Sequence, residues 1–479
     1  MSRNKVTTTL HLSLEQTGTC CRASVFDNRG QLRALAEQSV HTFRGREQRV
    51  EHDPLELVQA LIGVTHEACK QVGKQASIRN AGLATQRSSI VCWDRVTGEP
   101  LSNVISWQDR RATEQVAKLG KYQNLIRSKT GLVLSPHYGM GKLNWCLNNL
   151  SAVSDSLARG RLAFGPLASY LVSQLVKEKP LVVDPVNASR TLLLDLATLD
   201  WSEPLLDLFK IPEKALPKIV PTGHDYGILA STNQPIPLSV VTGEQSASMF
   251  SLGSPEPDII YINLDSGAFI RQLSPRNPQI VEGLLTSILA KKQSDILYAI
   301  EGTVNGAGSA LSIVADELDV DGNLLGENLG QWMTDCKQPP LFLNGVAGLG
   351  SPYWRPEFKS EMVGHGDKYA QLVAVAESIV FLIHRNIQTM SRRLEMPRKL
   401  VVTGDSAYPG ICQKLANLSK IRVEKPKMQH GAARGLAFLC SESENWLPLG
   451  PATGYPVEED VELCQRYSLW RQLVRAKLD

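Results

Sequence analysis

The sequence predicts two α/β domains built on one plan, and three observations carry that expectation. A strand–turn–strand motif occurs twice, about half a chain apart. At 479 residues the chain is well beyond one typical core. Its segments read as strands first, then mixed helix and strand, with the scheme repeated from mid-chain. The first copy of the motif is Leu12-Ser13-Leu14-Glu15-Gln16-Thr17-Gly18-Thr19, followed by an apolar run containing Arg22, Ala23, Val25 and Phe26. The second is Ile260-Tyr261-Ile262-Asn263-Leu264-Asp265-Ser266-Gly267, followed by Ala268-Phe269-Ile270-Arg271. Each reads as a β-hairpin with a small polar tip. Glycine lets backbone N–H groups face outward, hydroxyls add donors, and a carboxylate can hold a cation. A nucleotide phosphate bound to Mg²⁺ needs that combination. Two such tips facing each other across a cleft would clamp ATP, whereas one alone is equally well an ordinary tight turn.

The elements follow in order. Residues 6–45 read as three strands joined at Glu15–Thr19 and at Asp27-Asn28-Arg29-Gly30. A helix starts at Asp53-Pro54, where Leu55, Leu57, Val58, Leu61, Ile62 and Val64 recur at helical spacing. Ile78 to Ala84 reads as a strand ending in Thr85-Gln86-Arg87. Apolar helical stretches lie around Leu143–Leu150 and Leu167–Val176. Pro235 to Val241 reads as a strand that stops at Thr242-Gly243-Glu244-Gln245, with a small-residue helix after it. The second half begins near Pro255 with the Asp265 hairpin. It continues into a long helix from about Tyr369 to Arg393 and a strand at Lys399–Val402. The division expected is 1–252, 253–445 and a tail at 446–479 that packs on the body.

Composition narrows the class. Apolar residues make up 43% and charged residues 21%, and the net charge of +3 is spread along the chain, so no nucleic-acid partner is expected. Lys291-Lys292 and Lys425-Pro426-Lys427 read as solvated surface. No run of about 18 apolar residues suggests a membrane span, and 1–9 looks like a charged lead-in to a strand rather than a signal peptide. The nine cysteines are scattered without metal spacing, which reads as reduced thiols in a cytoplasmic protein.

Taken together, the motifs resemble the FGGY carbohydrate kinases, and among them the glycerol kinases most closely, from Leu12 to about Cys440. The matches are Val50-Glu51-His52-Asp53-Pro54, Thr85-Gln86-Arg87, Ile105-Ser106-Trp107-Gln108-Asp109-Arg110-Arg111 and Thr130-Gly131-Leu132-Val133. Further along come Asn187-Ala188-Ser189-Arg190-Thr191, Tyr298-Ala299-Ile300-Glu301-Gly302 and Gly348-Leu349-Gly350-Ser351-Pro352-Tyr353-Trp354. Their collinear order carries the resemblance. It implies two ribonuclease-H-like domains of the actin and hexokinase type with an interdomain cleft. It also implies transfer of the γ-phosphate of Mg·ATP to a terminal hydroxyl of a small polyol or sugar, and a homo-oligomer, dimer or tetramer.

By the same resemblance Glu244 is the candidate base and Gln245 a hydroxyl ligand. Arg87 would hydrogen-bond the polyol, and Trp107 and Phe269 would pack on its carbons. Ser88 and His137 stand where the family has a glutamate and a tyrosine that contact the polyol. The nucleotide positions are Thr17, Gly18, Thr19, Arg22, Ser266, Gly267, Gly308, Gly404 and Asp405, and the metal positions are Glu15 and Asp265.

The chain departs from the family pattern at several of these. The first loop of the family runs Asp-Gln-Gly-Thr-Thr, where this chain has Glu15-Gln16-Thr17-Gly18-Thr19. The family base is an aspartate where this chain has Glu244. Its Asp-Gly-Gly-Ala and asparagine are here Thr403-Gly404-Asp405-Ser406 and Pro409, and its Gly-Thr-Gly is Asp265-Ser266-Gly267. This last resembles the Asp-x-Gly hairpin of the wider actin and Hsp70 superfamily. Asp265 then either serves the metal or caps its own turn. An acid kept at both 15 and 244 favours a polyol or sugar kinase. Simultaneous change at the metal, base, polyol and adenine positions favours a pseudokinase or a regulatory subunit that keeps the fold.

Overall fold

The computed structural model describes residues 9–46, 48–73, 77–274, 278–292, 295–441 and 443–478. The charged lead-in at 1–8 lies outside them. The chain folds into two compact units that are not continuous in sequence. The first takes the chain up to Pro255 together with Ser287–Tyr298 and Gln429–Pro448. The second takes Glu256–Thr286, Ala299–Met428 and the chain from Leu449.

In the first unit a five-stranded sheet runs Leu238–Gly243, Ile78–Thr85, Leu10–Gln16, Cys20–Asp27, Leu32–Ser39. The last three are the consecutive strands expected near the N-terminus, and they pair antiparallel. Ile78–Thr85 lies parallel to Leu10–Gln16, and Leu238–Gly243 parallel to Ile78–Thr85. This last strand begins three residues after the expected Pro235, because Pro235 and Pro237 have no N–H for a ladder. Helices cover both faces, so Leu12, Leu14, Ala81, Leu83 and Leu238 are fully buried.

On one face lies Pro54–Val72. Asp53 accepts the N–H groups of Leu55 and Glu56, Pro54 supplies the first turn, and Gly73 ends the helix at φ +82. Its stripe of Leu57, Leu61, Val64 and Ala68 is buried against Cys20–Asp27 and Leu32–Ser39. The other face takes Gly431–Ser441, a helix that returns from late in the chain. The Ser13 hydroxyl donates to the carbonyl of Ala433 at 2.8 Å. Gly82 permits the close approach, since a Cβ there would stand 2.7 Å from Leu436.

The second unit repeats the arrangement. Ile259–Leu264 and Ala268–Ser274 form the hairpin, and Lys399–Thr403 lies parallel to its first arm. Val423–Lys425 and Thr453–Tyr455 extend the sheet. Its central helix, Lys368–Met390, is apolar nearly all round. Length and hydropathy alone would let it cross a membrane, but 83% of that stretch is buried, so it is the core of the unit. The helix Val461–Leu478 lays Tyr467 and Trp470 into the same core. Lys425 is not simply solvated surface: its ammonium donates to the Ala407 carbonyl at 2.6 Å. All nine cysteines are free thiols.

Candidate active site

Three parallel strands of the first sheet end side by side. Gln16 is level with Thr85, and Thr85 with Gly243. Open α/β sheets bind ligands beyond the carboxyl ends of their strands, and Glu15, Arg87 and Glu244 all lie at that edge. Gly243 lets Arg87 lie close against the strand end, since a Cβ there would stand 2.6 Å from Cγ of Arg87. Glu244 opens the four-residue helix Glu244–Ala247, and its charge reaches Glu15. Gln245 is half-buried, and its carbonyl accepts the Ser248 hydroxyl at 2.9 Å. Oε1 of Gln16, both amide atoms of Gln86 and Oγ1 of Thr242 are buried at this edge without a hydrogen-bond partner. Buried orphans of this kind are rare and mark a place that a polar ligand or water completes.

Glu15 is 2% exposed. Arg22 faces it on the next strand and Glu37 faces Arg22 on the one after. One guanidinium therefore spans two acids, donating to Glu15 Oε2 at 3.2 Å and to Glu37 Oε2 at 2.7 Å. Burial pushes the Glu15 carboxyl up to about 7; Arg22 opposes the rise and Glu244 adds to it. The turn between these strands is closed by its own threonine. Thr17 Oγ1 accepts the N–H groups of Cys20 at 3.1 Å and Thr19 at 3.3 Å. Gly18 has open space where a Cβ would stand and no left-handed backbone, so the turn does not demand glycine.

The other polyol candidates of this unit gather round the turn 86–89. Ser88 is left-handed at φ +65. Its carbonyl and that of His137 both accept from the Lys142 ammonium, at 3.0 and 2.8 Å. Ser89 Oγ accepts the Trp107 N–H at 2.9 Å, and the rings of Trp107 and His137 meet edge to face at 5.2 Å. Arg110 donates to the Trp107 carbonyl at 2.9 Å. Burial first, then the charges of Lys142, Arg110, Arg190 and Arg87, hold the His137 imidazole well below its usual pKa, hence neutral near pH 7. Arg87, Ser88, Trp107 and His137 thus share one place. Lys142 and Ser89 were not among the sequence candidates. A lysine inside the apolar stretch Met140-Gly141-Lys142-Leu143 was the available signal.

In the second unit the tip of the hairpin joins two other turns. The Asp265 N–H donates to the Gly267 carbonyl at 2.9 Å, and the Gly308 N–H to the Asp265 carbonyl at 2.8 Å. Oδ1 of Asp265 accepts the N–H of Asp405 at 2.8 Å, so its side chain caps a distant turn rather than its own. Gly404 sits at φ +104, where a Cβ would meet the Leu264 carbonyl at 2.3 Å, and a Cβ on Gly308 would meet the Asp265 carbonyl at 2.6 Å. Asp265, Ser266, Gly267, Gly308, Gly404 and Asp405 therefore form one cluster. Phe269 lies further along the same strand, its ring 5.3 Å from the Arg271 guanidinium. Among the described residues no three His, Cys, Asp or Glu side chains gather into a metal cage.

Comparison with known proteins identifies the family. Residues 10–250 match the N-terminal domain of the FGGY family of carbohydrate kinases, and 262–443 match its C-terminal domain. A glycerol kinase of Trichlorobacter lovleyi is 32% identical over 90% of this chain and 89% of its own length. One of Halorhodospira halophila is 31% identical over 98% and 96%. Among solved structures, Plasmodium falciparum glycerol kinase with ADP superposes at TM-score 0.88 over 98% of this chain and 99% of that one, at 21% identity. The gluconate kinase of Lactobacillus acidophilus reaches 0.86 over 98% of each chain at 19% identity. The fold is the two-domain α/β type of those kinases. The chain belongs to the FGGY family of carbohydrate kinases.

Proposed function

We propose that this chain transfers the γ-phosphate of ATP to a terminal hydroxyl of a small polyol or sugar. The observation that carries the reading is the edge where Arg87, Glu15 and Glu244 meet at the ends of parallel strands, beside orphaned polar groups. In this reading Arg87, Ser88, Trp107, His137, Gln245 and Phe269 hold the acceptor. Glu244 takes the proton of the hydroxyl as its oxygen bonds to phosphorus. Thr17, Gly18, Thr19, Arg22, Ser266, Gly267, Gly308, Gly404 and Asp405 serve the nucleotide, in line with the ADP of the Plasmodium falciparum relative. Mg²⁺ takes only one or two carboxylates, the rest of its shell being phosphate and water. Glu15 and Asp265 are the carboxylates this reading assigns to it, and the ion would supply neutralisation of phosphate charge.

One observation favours the second reading, a binding protein that keeps the fold without turnover. Thr17 occupies the N–H groups of Thr19 and Cys20, and Arg22 is engaged by two carboxylates. Donors suited to a phosphate are thus already used. Calorimetric titration with Mg·ATP, followed by an ADP-release assay over polyols and ketoses, separates the two. No nucleotide binding at millimolar ATP sinks the kinase reading, while binding with no turnover on any acceptor favours the second. Turnover that rises in Glu244→Asp identifies the longer base as the weak point.

A further inference from the structure

Gln86 carries a buried amide that no neighbour satisfies. It is 4% exposed, and both Nε2 and Oε1 are buried without a hydrogen-bond partner. Among the described residues no other side chain has two such atoms. The other buried amides all have bonds. Gln16 donates to the Thr17 carbonyl and Gln272 to those of Pro257 and Glu395. Asn187, Asn344, Asn386 and Asn417 likewise have partners. Leaving a buried donor and acceptor unpaired costs free energy that the rest of the fold must offset.

The place of Gln86 in the sheet says what its amide faces. Glu15, Ala84 and Thr242 stand level on three adjoining parallel strands, so their side chains share a face. Beyond Ala84 the chain stays on the ladder, the Gln86 N–H donating to the Gln16 carbonyl at 2.9 Å. Thr85 takes the opposite face, where its hydroxyl meets Asn187. Arg87 lies on that face too, against the Cβ position of Gly243. Gln86, between them, returns to the face of Glu15 and Thr242. Glu244 stands as far beyond Thr242 as Gln86 stands beyond Ala84, and its charge reaches Glu15. The unpaired amide therefore lies beside the candidate base, on the side of the strand end away from Arg87.

We infer that Gln86 binds two neighbouring hydroxyls of the acceptor, one of them the hydroxyl that is phosphorylated, and so selects acceptors with a vicinal diol at the reacting end. The inference rests on the kinase reading for the identity of that hydroxyl. An amide offers a donor and an acceptor side by side. A phosphoryl oxygen would use the donor alone, whereas two adjacent hydroxyls use both. Nε2 donates to the reacting oxygen, which keeps its own proton for Glu244 and a lone pair for phosphorus. Oε1 accepts the neighbouring O–H. The reacting oxygen then bonds to the γ-phosphorus, the bond from that phosphorus to the bridging oxygen breaks, ADP leaves with the electron pair, and the proton passes to Glu244. Gln86 contributes binding and orientation and is unchanged throughout.

The test uses pairs that share both terminal hydroxyls and differ in those between: glycerol with 1,3-propanediol, erythritol with 1,4-butanediol, xylitol with 1,5-pentanediol. Affinity is read from tryptophan fluorescence without nucleotide, and kcat/KM from ADP release with Mg·ATP. The wild type should prefer at least one polyol over its diol by about tenfold or more. In Gln86→Met, similar in size and without the amide, that margin should fall toward one while ATP affinity stays within about twofold. Melting without ligand should be equal or higher in this variant, because an unpaired amide is removed and no bond is lost with it. Gln86→Glu keeps the shape, loses the donor and brings a carboxylate beside Glu244. It should shrink the margin as well, which covers the case that methionine does not pack. The inference is overturned if no polyol binds more tightly than its diol, or if both variants keep the wild-type margin. A lower melting point in Gln86→Met with the margin intact would mark an amide satisfied by buried water, and would overturn it too. A polyol margin that depends on Gln86, without ADP release, would retain the inference and reject the kinase reading. ADP release with the margin unchanged in both variants would do the reverse.

Discussion

The carboxylate of Asp265 accepts the backbone N–H of Asp405 at 2.8 Å. The two residues are far apart in sequence, and the bond fastens the tip of the second hairpin to the turn after Lys399–Thr403. Gly404 makes the contact possible, since a Cβ there would press on both Leu264 and Asp265. One oxygen of Asp265 therefore has a structural task, and a role for its charge at a metal must be separated from that task.

Asparagine makes the separation. Asp265→Asn keeps an oxygen for the Asp405 N–H and loses the charge; Asp265→Ala loses both. Removing one such bond destabilises by about 1–3 kcal/mol. If Asp265 serves Mg²⁺, the asparagine variant keeps wild-type melting but loses most of the gain in ATP affinity that Mg²⁺ gives, about tenfold. The alanine variant melts lower as well. Calorimetry with and without Mg²⁺ reads both effects. An asparagine variant with the full Mg²⁺ response would leave Asp265 as a turn cap and nothing more.

Gly243→Ala tests the placement of Arg87. The new methyl would stand 2.6 Å from Arg87 Cγ and 3.3 Å from Val186 Cγ1, so the stem of Arg87 must shift; the fold should survive with melting lowered. A shift of about 1 Å at a binding group can cost on the order of 100-fold in rate. The acceptor KM should rise about tenfold or more while the ATP KM stays within about twofold. Equal rises in both would show that the strand end, rather than Arg87, had been disturbed.

Much of this was legible in the sequence, for identifiable reasons. The duplicated hairpin was readable because its alternation, turn residues and glycines act locally. The helix at Asp53-Pro54 carries its own cap. What escaped was non-local. Nothing near residues 429–448 announces that they pack on the first sheet, since the cause is a surface matched between Gly82 and Leu436. Lys142 escaped because its partners are backbone carbonyls, which every residue has. The carboxylate of Asp265 was expected to cap its own turn or bind a metal, and its actual partner lies across a parallel strand pair that no short-range pattern encodes.

Thr17→Gly asks whether the first tip can still hold a phosphate. The Thr17 hydroxyl accepts the N–H groups of Thr19 and Cys20, and its side chain adds bulk at the turn. Glycine frees both donors, and backbone N–H groups aimed at an anion form a phosphate nest. ATP affinity should rise several-fold in calorimetry, with melting lowered by loss of the hydroxyl bonds. Affinity that falls would mean the threonine hydroxyl itself contacts the nucleotide.

A last prediction concerns pH and Asp184. This residue is fully buried, and its oxygens accept the Asn187 N–H at 3.1 Å and the Asn187 side-chain amide at 2.7 Å. Asn187 in turn accepts the Thr85 hydroxyl at 3.3 Å, which ties this group to the strand end that carries Arg87. Burial lifts the Asp184 carboxyl from 3.8 to about 7, with the bonds from Asn187 opposing. Between those values the folded protein holds a proton that the unfolded chain has released. Stability therefore falls as pH rises from about 4 to about 7 and is flat above, by at most about 4 kcal/mol. Glu15, also lifted to about 7, adds a slope of the same sign. Asp184→Asn removes one of the two contributions, so melting should fall less between pH 5 and pH 7.5 in the variant than in the wild type. Because asparagine has one oxygen for two donors, the variant should also melt lower at pH 5. Identical pH slopes in the two proteins would mean that Asp184 is ionised throughout and that its neighbours, rather than a proton, hold its charge.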